Sequence, residues 1–152
     1  MSFNTANGTT GARQPRGGRL VQWMNGFMMN RIRRSDGKAM GMNALVLTTV
    51  GRKPGESRST PVGFFPAGDN RWLIVASAAG APKNPAWYYN IAAHPDKVNI
   101  EIGDRTIPVT ATQQHGEERA RAWREITTAA ARFGNYQEQT DRELPVIRLT
   151  VR

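Results

Sequence analysis

Residues 48–61, TTVGRKPGESRSTP, gather Arg52, Lys53 and Arg58 on a turn built from Gly51, Pro54 and Gly55. Glycines let backbone N–H groups close on a phosphate while Lys and Arg supply charge, so cations on a tight turn between strands form a seat for an anion. The plain alternative is an ordinary hairpin with solvated charges. A second stretch, residues 77–90 (SAAGAPKNPAWYYN), joins a loop of small residues to a helix start. Small side chains let a flat ligand approach, and the unpaired N–H groups of a helix N-terminus suit a carbonyl or an anion. Trp87, Tyr88 and Tyr89 add planar surface, or else bury against the fold. Together the two stretches describe a long ligand, flat and aromatic at one end and anionic at the other. A flavin-like cofactor has that shape.

Other chemistries fail on what is missing. The chain has no Gly-x-Gly-x-x-Gly or phosphate-loop signature, no Gly-x-Ser-x-Gly elbow and no His-Glu-x-x-His. With no cysteine and only His94 and His115, disulfides, thiolate metal sites, a cysteine nucleophile and a His-rich metal centre are excluded. Glu117 and Glu118 are adjacent, so on a helix they face different ways and complement its dipole rather than form an acid/base pair. Lys and Arg number 21 against 12 Asp and Glu, for a net charge of +9. Such a balance favours an acidic partner: nucleic acid, anionic lipid or a polyanionic ligand. Nucleic acid fits worst, because most of the excess charge lies in residues 1–38 and no recognition helix or aromatic-basic motif accompanies it. No apolar run approaches the ~18 residues of a membrane span, and the polar start lacks a signal-peptide core, so the expected compartment is the cytoplasm.

The elements that must position these residues follow from periodicity. A chain of 152 residues is most simply one domain. Residues 1–18, polar and glycine-rich, are expected to be a disordered tail. Residues 19–38 form the next unit: Leu20, Trp23, Met24, Phe27, Met28 and Ile32 recur at helical spacing with Arg at both ends, predicting a basic amphipathic helix over Arg19–Arg34. Such a helix suits an anionic membrane surface, or packs its apolar face on the chain's own core. Strands are expected at residues 43–50, 58–65, 71–77, 97–102, 105–112 and 146–151. A short helix over residues 86–93 is announced by Asn84 as N-cap and Pro85 at the first helical position. A longer helix is expected over residues 117–131, with residues 133–142 irregular. Six strands without strand–helix alternation argue against a doubly wound sheet and for a small antiparallel barrel with peripheral helices.

The combination Thr48-Thr49-x-Gly51-Arg52-Lys53-x-Gly55-x-x-Arg58-x-x-Pro61, then Ser77, Lys83-Asn84-Pro85-x-Trp87-Tyr88-x-Asn90 and Tyr136-Gln137-x-x-Thr140-Asp141-Arg142-x-x-Pro145 resembles the deazaflavin-dependent nitroreductase family. These actinobacterial enzymes use coenzyme F420, an 8-hydroxy-5-deazaflavin. The resemblance runs from about residue 40 to 150. It implies a mainly β fold with peripheral helices, a split β-barrel of the FMN-binding type over residues 39–152. Lys53 and Arg58, with Arg52 beside them, match cations for the coenzyme's phosphate and acidic tail. Pro61 and Ser77 match positions lining the deazaflavin, and Lys83, Asn84 and Trp87 fall in the loop and helix start that enclose it. Tyr136 matches a tyrosine on the substrate side, where the neighbouring aromatic positions are here Phe133 and Ala130. The implied reaction is hydride transfer from the reduced coenzyme to a quinone-like or nitro-aromatic acceptor, with Tyr136 or Tyr88 supplying the proton. An isoprenoid-tailed quinone would suit a substrate mouth beside the Arg19–Arg34 helix, at the inner face of the membrane. The alternatives are a split-barrel oxidoreductase using FMN, and a non-catalytic coenzyme-binding or membrane-associated protein.

Overall fold

The computed structural model describes residues 3–12, 19–34, 38–39, 42–51 and 55–152. The strands are β1 (Lys38–Ala39), β2 (Met42–Val50), β3 (Ser57–Gly63), β4 (Phe65–Pro66), β5 (Arg71–Val75), β6 (Val98–Ile102), β7 (Arg105–Gln113) and β8 (Val146–Val151). Around them lie α1 (Arg19–Arg34), α2 (Ala86–Ala93), α3 (Gly116–Ala129), α4 (Arg132–Gln139) and a single 3-10 turn at Ala78–Gly80. Every strand pairing is antiparallel, in the order β1-β2-β6-β7-β8-β5-β4, with β3 on β2.

The expected run at residues 58–65 proves to be two strands that change partner at Phe64. Up to Gly63 it pairs with β2, the Phe64 N–H donates to the Asn43 carbonyl at 3.1 Å, and from Phe65 it pairs with β5. A strand that switches partner at a bend is how a curled sheet turns a corner. The sheet thereby closes into a split barrel, with β3 lying near β5 but not laddered to it. Pro61, which has no N–H to give, sits on this edge strand, where a ladder loses least by it.

Apolar residues of β2 are buried on both faces. Leu45 and Leu47 point into the barrel with Ile74, Ile100, Val109, Ile147 and Leu149. Ala44 and Val46 point outward, where Ile32 of α1 covers them, with Met28 and Met29 beside it. That double burial explains the unbroken apolar run at residues 44–47. The helix is thus seated by one stripe, and Arg33 adds a two-pronged pair to Glu101 with both contacts at 3.0 Å. Its hydrogen bonds to Glu101 push the Arg33 guanidinium further up from its ordinary value. A third cluster joins Leu73, Val75 and Val146 of the sheet to Ile126 of α3 and Phe133 of α4.

Two local readings need correction. Residues 133–142, expected to be irregular, begin as α4, because Phe133 and Tyr136, three apart on one face, both pack on that third cluster. Tertiary burial outweighs the propensity cost of Gly134. Asn84 is not an N-cap: Pro85 takes that position, and no side-chain hydrogen bond caps α2. The expected tail also differs over its described part. Residues 3–12 lie against the loop of residues 80–84, with the Gly8 N–H on the Pro82 carbonyl at 2.7 Å and the Ala12 N–H on the Gly80 carbonyl at 2.9 Å. Polar composition here serves hydrogen bonding to the fold.

Candidate functional site

A cleft of about 930 Å³ opens between the β2–β3 hairpin and the start of α2. The hairpin contributes Thr49, Gly51, Glu56, Arg58 and Thr60, and the facing wall contributes Lys83, Asn84, Pro85, Trp87 and Tyr89. Within the lining, Asn90 of α2 donates its amide to the Thr49 hydroxyl at 3.2 Å, tying the two walls together. A second cavity of about 220 Å³ lies in the gap between β3 and β5, lined by Pro61, Gly63, Val75, Ser77 and Phe133. Ala78, Pro85 and Trp87 border both spaces. The two therefore read as one groove from the hairpin turn to the barrel's opening.

The hairpin turn is narrowed by the Gly51 N–H donating to the Glu56 carbonyl at 2.6 Å, and Gly55 takes a positive φ of 83°. Arg52 and Lys53 lie outside the described residues. Arg58 is held by Glu56 at 2.9 Å, but both side chains are largely exposed. Such a pair contributes little, roughly 0–1 kcal/mol, so a phosphate or carboxylate competes for the guanidinium readily. Lys83 is exposed at the cleft and has no ion pair among the described residues.

The loop between the cavities is strained and externally held. Ala78 and Ala79 take φ of 45° and 52°, and Gly80 takes 83°. Left-handed backbone costs an alanine roughly 1–2 kcal/mol. The loop is fastened by Arg142, only 2% exposed. Its guanidinium donates to the Ala76 carbonyl (2.8 Å), the Ser77 carbonyl (2.8 Å), the Ala81 carbonyl (3.0 and 3.2 Å) and the Asn84 side-chain oxygen (2.7 Å). Burial pushes the Arg142 guanidinium down from its ordinary value, offset in part by Tyr89 and Tyr88.

Of the residues singled out from sequence, Arg58, Lys83, Asn84 and Trp87 meet in the large cleft, and Pro61 and Ser77 meet Trp87 in the smaller cavity. Asn84 is 6% exposed, and its amide is engaged with Arg142 and the Thr5 carbonyl, so it shapes the wall more than it offers a free group. Tyr88 leaves the site altogether. At 1% exposure its hydroxyl donates to Gln113 at 2.6 Å and accepts the Thr5 N–H at 3.0 Å, which leaves no proton for a bound acceptor. Tyr136 borders neither cavity. Its ring packs edge-on against Phe133 with centroids 5.5 Å apart, one ring behind the smaller cavity. Sequence reasoning missed the part played by Arg142, though the triplet Thr140-Asp141-Arg142 beside a loop of small residues was its signal.

The fit to a long, flat, anionic ligand is supported by this lining: aromatic and proline surface along both spaces, exposed cations in the larger one, and a volume suited to a cofactor. The family model for F420H(2)-dependent quinone reductase matches residues 24–150, which leaves residues 3–12 outside the match. An F420H(2)-dependent quinone reductase of Mycobacterium tuberculosis is 41% identical over 112 residues, covering 72% of this chain and 74% of its own. Among solved structures, the F420-H2 dependent reductase FDR-A is 36% identical with a TM-score of 0.63, over 70% of this chain and 92% of its own. A protein described as a domain-swapped dimer is 32% identical with a TM-score of 0.64, over 86% of this chain and 98% of its own. Sequence, fold and groove agree, and the chain belongs to the F420H(2)-dependent quinone reductase family, split-barrel oxidoreductases whose cofactor is coenzyme F420.

Proposed function

We propose that this chain transfers a hydride from reduced coenzyme F420 to a quinone-like acceptor, with the coenzyme laid along the groove. The observation that carries this reading is the groove's lining, with Arg58 and Lys83 in the larger cleft, Pro61 and Ser77 in the smaller cavity and Trp87 bordering both. Residues 39–152 act as the binding domain. Lys53 and Arg58, assisted by Arg52, hold the phosphate and carboxylates of the coenzyme tail, and Lys83 adds a cation from the opposite wall. Trp87 and Pro61 confine the ring system, and Ser77 lies along its edge. When bound, the reduced deazaflavin supplies a hydride, two electrons moving together with one hydrogen.

The protein's remaining task is one proton. A quinone that accepts a hydride becomes a quinol only when its oxygen is protonated, and Tyr136 is the group we assign to this step. Tyr136 is half-buried and its hydroxyl makes no hydrogen bond among the described residues, which supports a role as donor through an intervening water. Nitro-aromatic acceptors are a second substrate class open to the same geometry.

The exposed flank of α1 favours a further element of this reading. Trp23, Met24 and Phe27 are 66%, 55% and 51% exposed, and the Trp23 and Phe27 rings stack at 5.9 Å. With Arg31 over Phe27, this flank suits an anionic bilayer surface on the cytoplasmic side, where isoprenoid quinones reside. Among the described residues, no helix is long and apolar enough to cross a membrane.

Titration with oxidised F420 and with FMN, followed by turnover of F420H2 with menadione, tests the proposal. F420 is expected to bind more tightly than FMN, with an affinity that falls as salt rises, and menadione is expected to be reduced. Failure to bind F420, or binding without any quinone turnover, overturns it.

A further inference from the structure

We infer that residues 3–12 act as a strap that sets the geometry of the coenzyme cleft, so that strap docking and coenzyme affinity are coupled. The inference rests on the reading of that cleft as the F420 site. Its centre is Asn7, whose side-chain oxygen accepts two hydrogen bonds, from the Asn84 backbone N–H at 2.8 Å and from the Tyr89 hydroxyl at 2.7 Å. Asn84 and Tyr89 both line the cleft, whereas no strap residue does. Two residues earlier, the Thr5 carbonyl accepts the Asn84 side-chain amide at 2.9 Å. One short segment therefore holds Asn84 through both its backbone and its side chain, and holds the far end of Tyr89 as well. Asn7 and Thr5 are positioning residues that act on the ligand through those two.

The strap is anchored independently of these contacts. Asp141 accepts the Thr9 N–H at 2.8 Å, the Thr9 hydroxyl at 2.5 Å and the Thr10 N–H at 3.0 Å, and the Thr140 hydroxyl donates to the Thr10 carbonyl at 2.6 Å. Asp141 and Thr140 flank the turn that delivers Arg142 to the strained loop, so strap and loop share one support. Gly11 is packed so closely that a Cβ there would stand 2.5 Å from the Gly80 carbonyl oxygen and 2.6 Å from the Pro82 nitrogen. Backbone cannot yield to that as a flexible side chain would. If the docked strap favours the ligand-binding shape of the cleft, then by reciprocity the bound ligand must favour the docked strap.

The test combines three variants, one control and one measurement on the unmutated protein. Asn7→Ala removes the shared acceptor, Asn7→Asp keeps an oxygen there, and Gly11→Ala displaces the strap sterically. Gly26→Ala, where a Cβ meets nothing within 4 Å, is the control. Fluorescence titration with oxidised F420 is expected to show about tenfold weaker binding for Asn7→Ala and Gly11→Ala, as loss of one to two hydrogen bonds implies. Asn7→Asp and Gly26→Ala should stay near the parent, and kcat at saturating F420H2 should change less than affinity in every variant. In the unmutated protein, bound F420 should slow hydrogen exchange at the amides of Gly8, Thr9, Thr10 and Ala12. Parent-like affinity in both Asn7→Ala and Gly11→Ala, or exchange that ignores the coenzyme, overturns the inference. Should the variants not fold, the exchange measurement decides alone. A parent that fails to bind F420 defeats the cleft reading and this inference with it, whereas a parent that binds while its variants match it defeats the strap alone.

Discussion

The guanidinium of Arg142 makes five hydrogen bonds to four acceptors, three of them carbonyls of one strained loop. Lysine has three donors at a single point and cannot span that set. Arg142→Met would leave those buried acceptors unpaired at roughly 1–3 kcal/mol each, so a net loss of about 3 kcal/mol or more is expected. For a domain of this size that lowers Tm by roughly 6–12 °C. Calorimetry checks it, and a Tm within about 2 °C of the parent would show that the loop holds itself. Tyr136 is a different kind of residue, half-buried and hydroxyl-free of partners among the described residues. Tyr136→Phe keeps the ring on Phe133 and deletes the proton. Turnover with menadione is expected to fall roughly 10- to 100-fold while F420 affinity barely moves. Turnover at the parent level, or affinity falling in step with it, would return Tyr136 to a packing role.

Among the elements, the contact of α4 with the 3-10 turn decides how the smaller cavity is walled. Gly80 at φ 83° would place a Cβ 2.8 Å from the Tyr136 carbonyl oxygen, whereas Gly68 at φ 102° has nothing within 4 Å. Both Gly→Ala changes incur left-handed strain of about 1–2 kcal/mol, but only Gly80→Ala also pushes on α4. Parallel urea melts should therefore show the larger loss for Gly80→Ala, and equal losses would mean that α4 gives way freely. The strap has its own signature in pH. Hydrogen bonds from the Thr9 hydroxyl first, then from the Thr10 and Thr9 amides, hold the Asp141 carboxyl well below the usual carboxylate range. A depressed folded pKa stabilises the fold above the unfolded value near ~4, and that contribution drains away as pH falls toward the folded one. Melts of the parent and of Asp141→Asn are expected to differ at neutral pH and to converge as pH drops below about 4. A gap that widens in acid would contradict the anchor.

Over the whole molecule, the net charge of +9 and the exposed flank of α1 point the same way. Deleting α1 is a poor test, because Ile32 covers Ala44 and Val46 and its removal uncovers the core. Trp23→Ser with Phe27→Ser leaves that seat intact. The parent is expected to co-sediment with anionic vesicles at low salt and the double variant to stay in the supernatant, with both binding F420 alike. Equal sedimentation would assign the affinity to charge alone, and no sedimentation of either would remove the membrane from the proposal.

Much of this was legible in the residues themselves. The unbroken apolar run of β2, the helical spacing of α1 and the turn between Gly51 and Gly55 that precedes Arg58 are local patterns, and local patterns report which faces are buried and where the chain turns. The spacing from Thr48 to Pro145 was enough to identify the family. Tertiary structure decided what lies more than a few residues apart. It placed Arg58 across a cleft from Trp87, made Phe64 the corner that closes the barrel, turned Tyr88 inward to Gln113 and packed Tyr136 against Phe133. It also joined Thr9 to Asp141, 132 residues away, and spread Arg142 over the loop. A polar side chain announces that it needs a partner, but which distant group satisfies it is settled only when the folded chain brings donor and acceptor within about 3 Å.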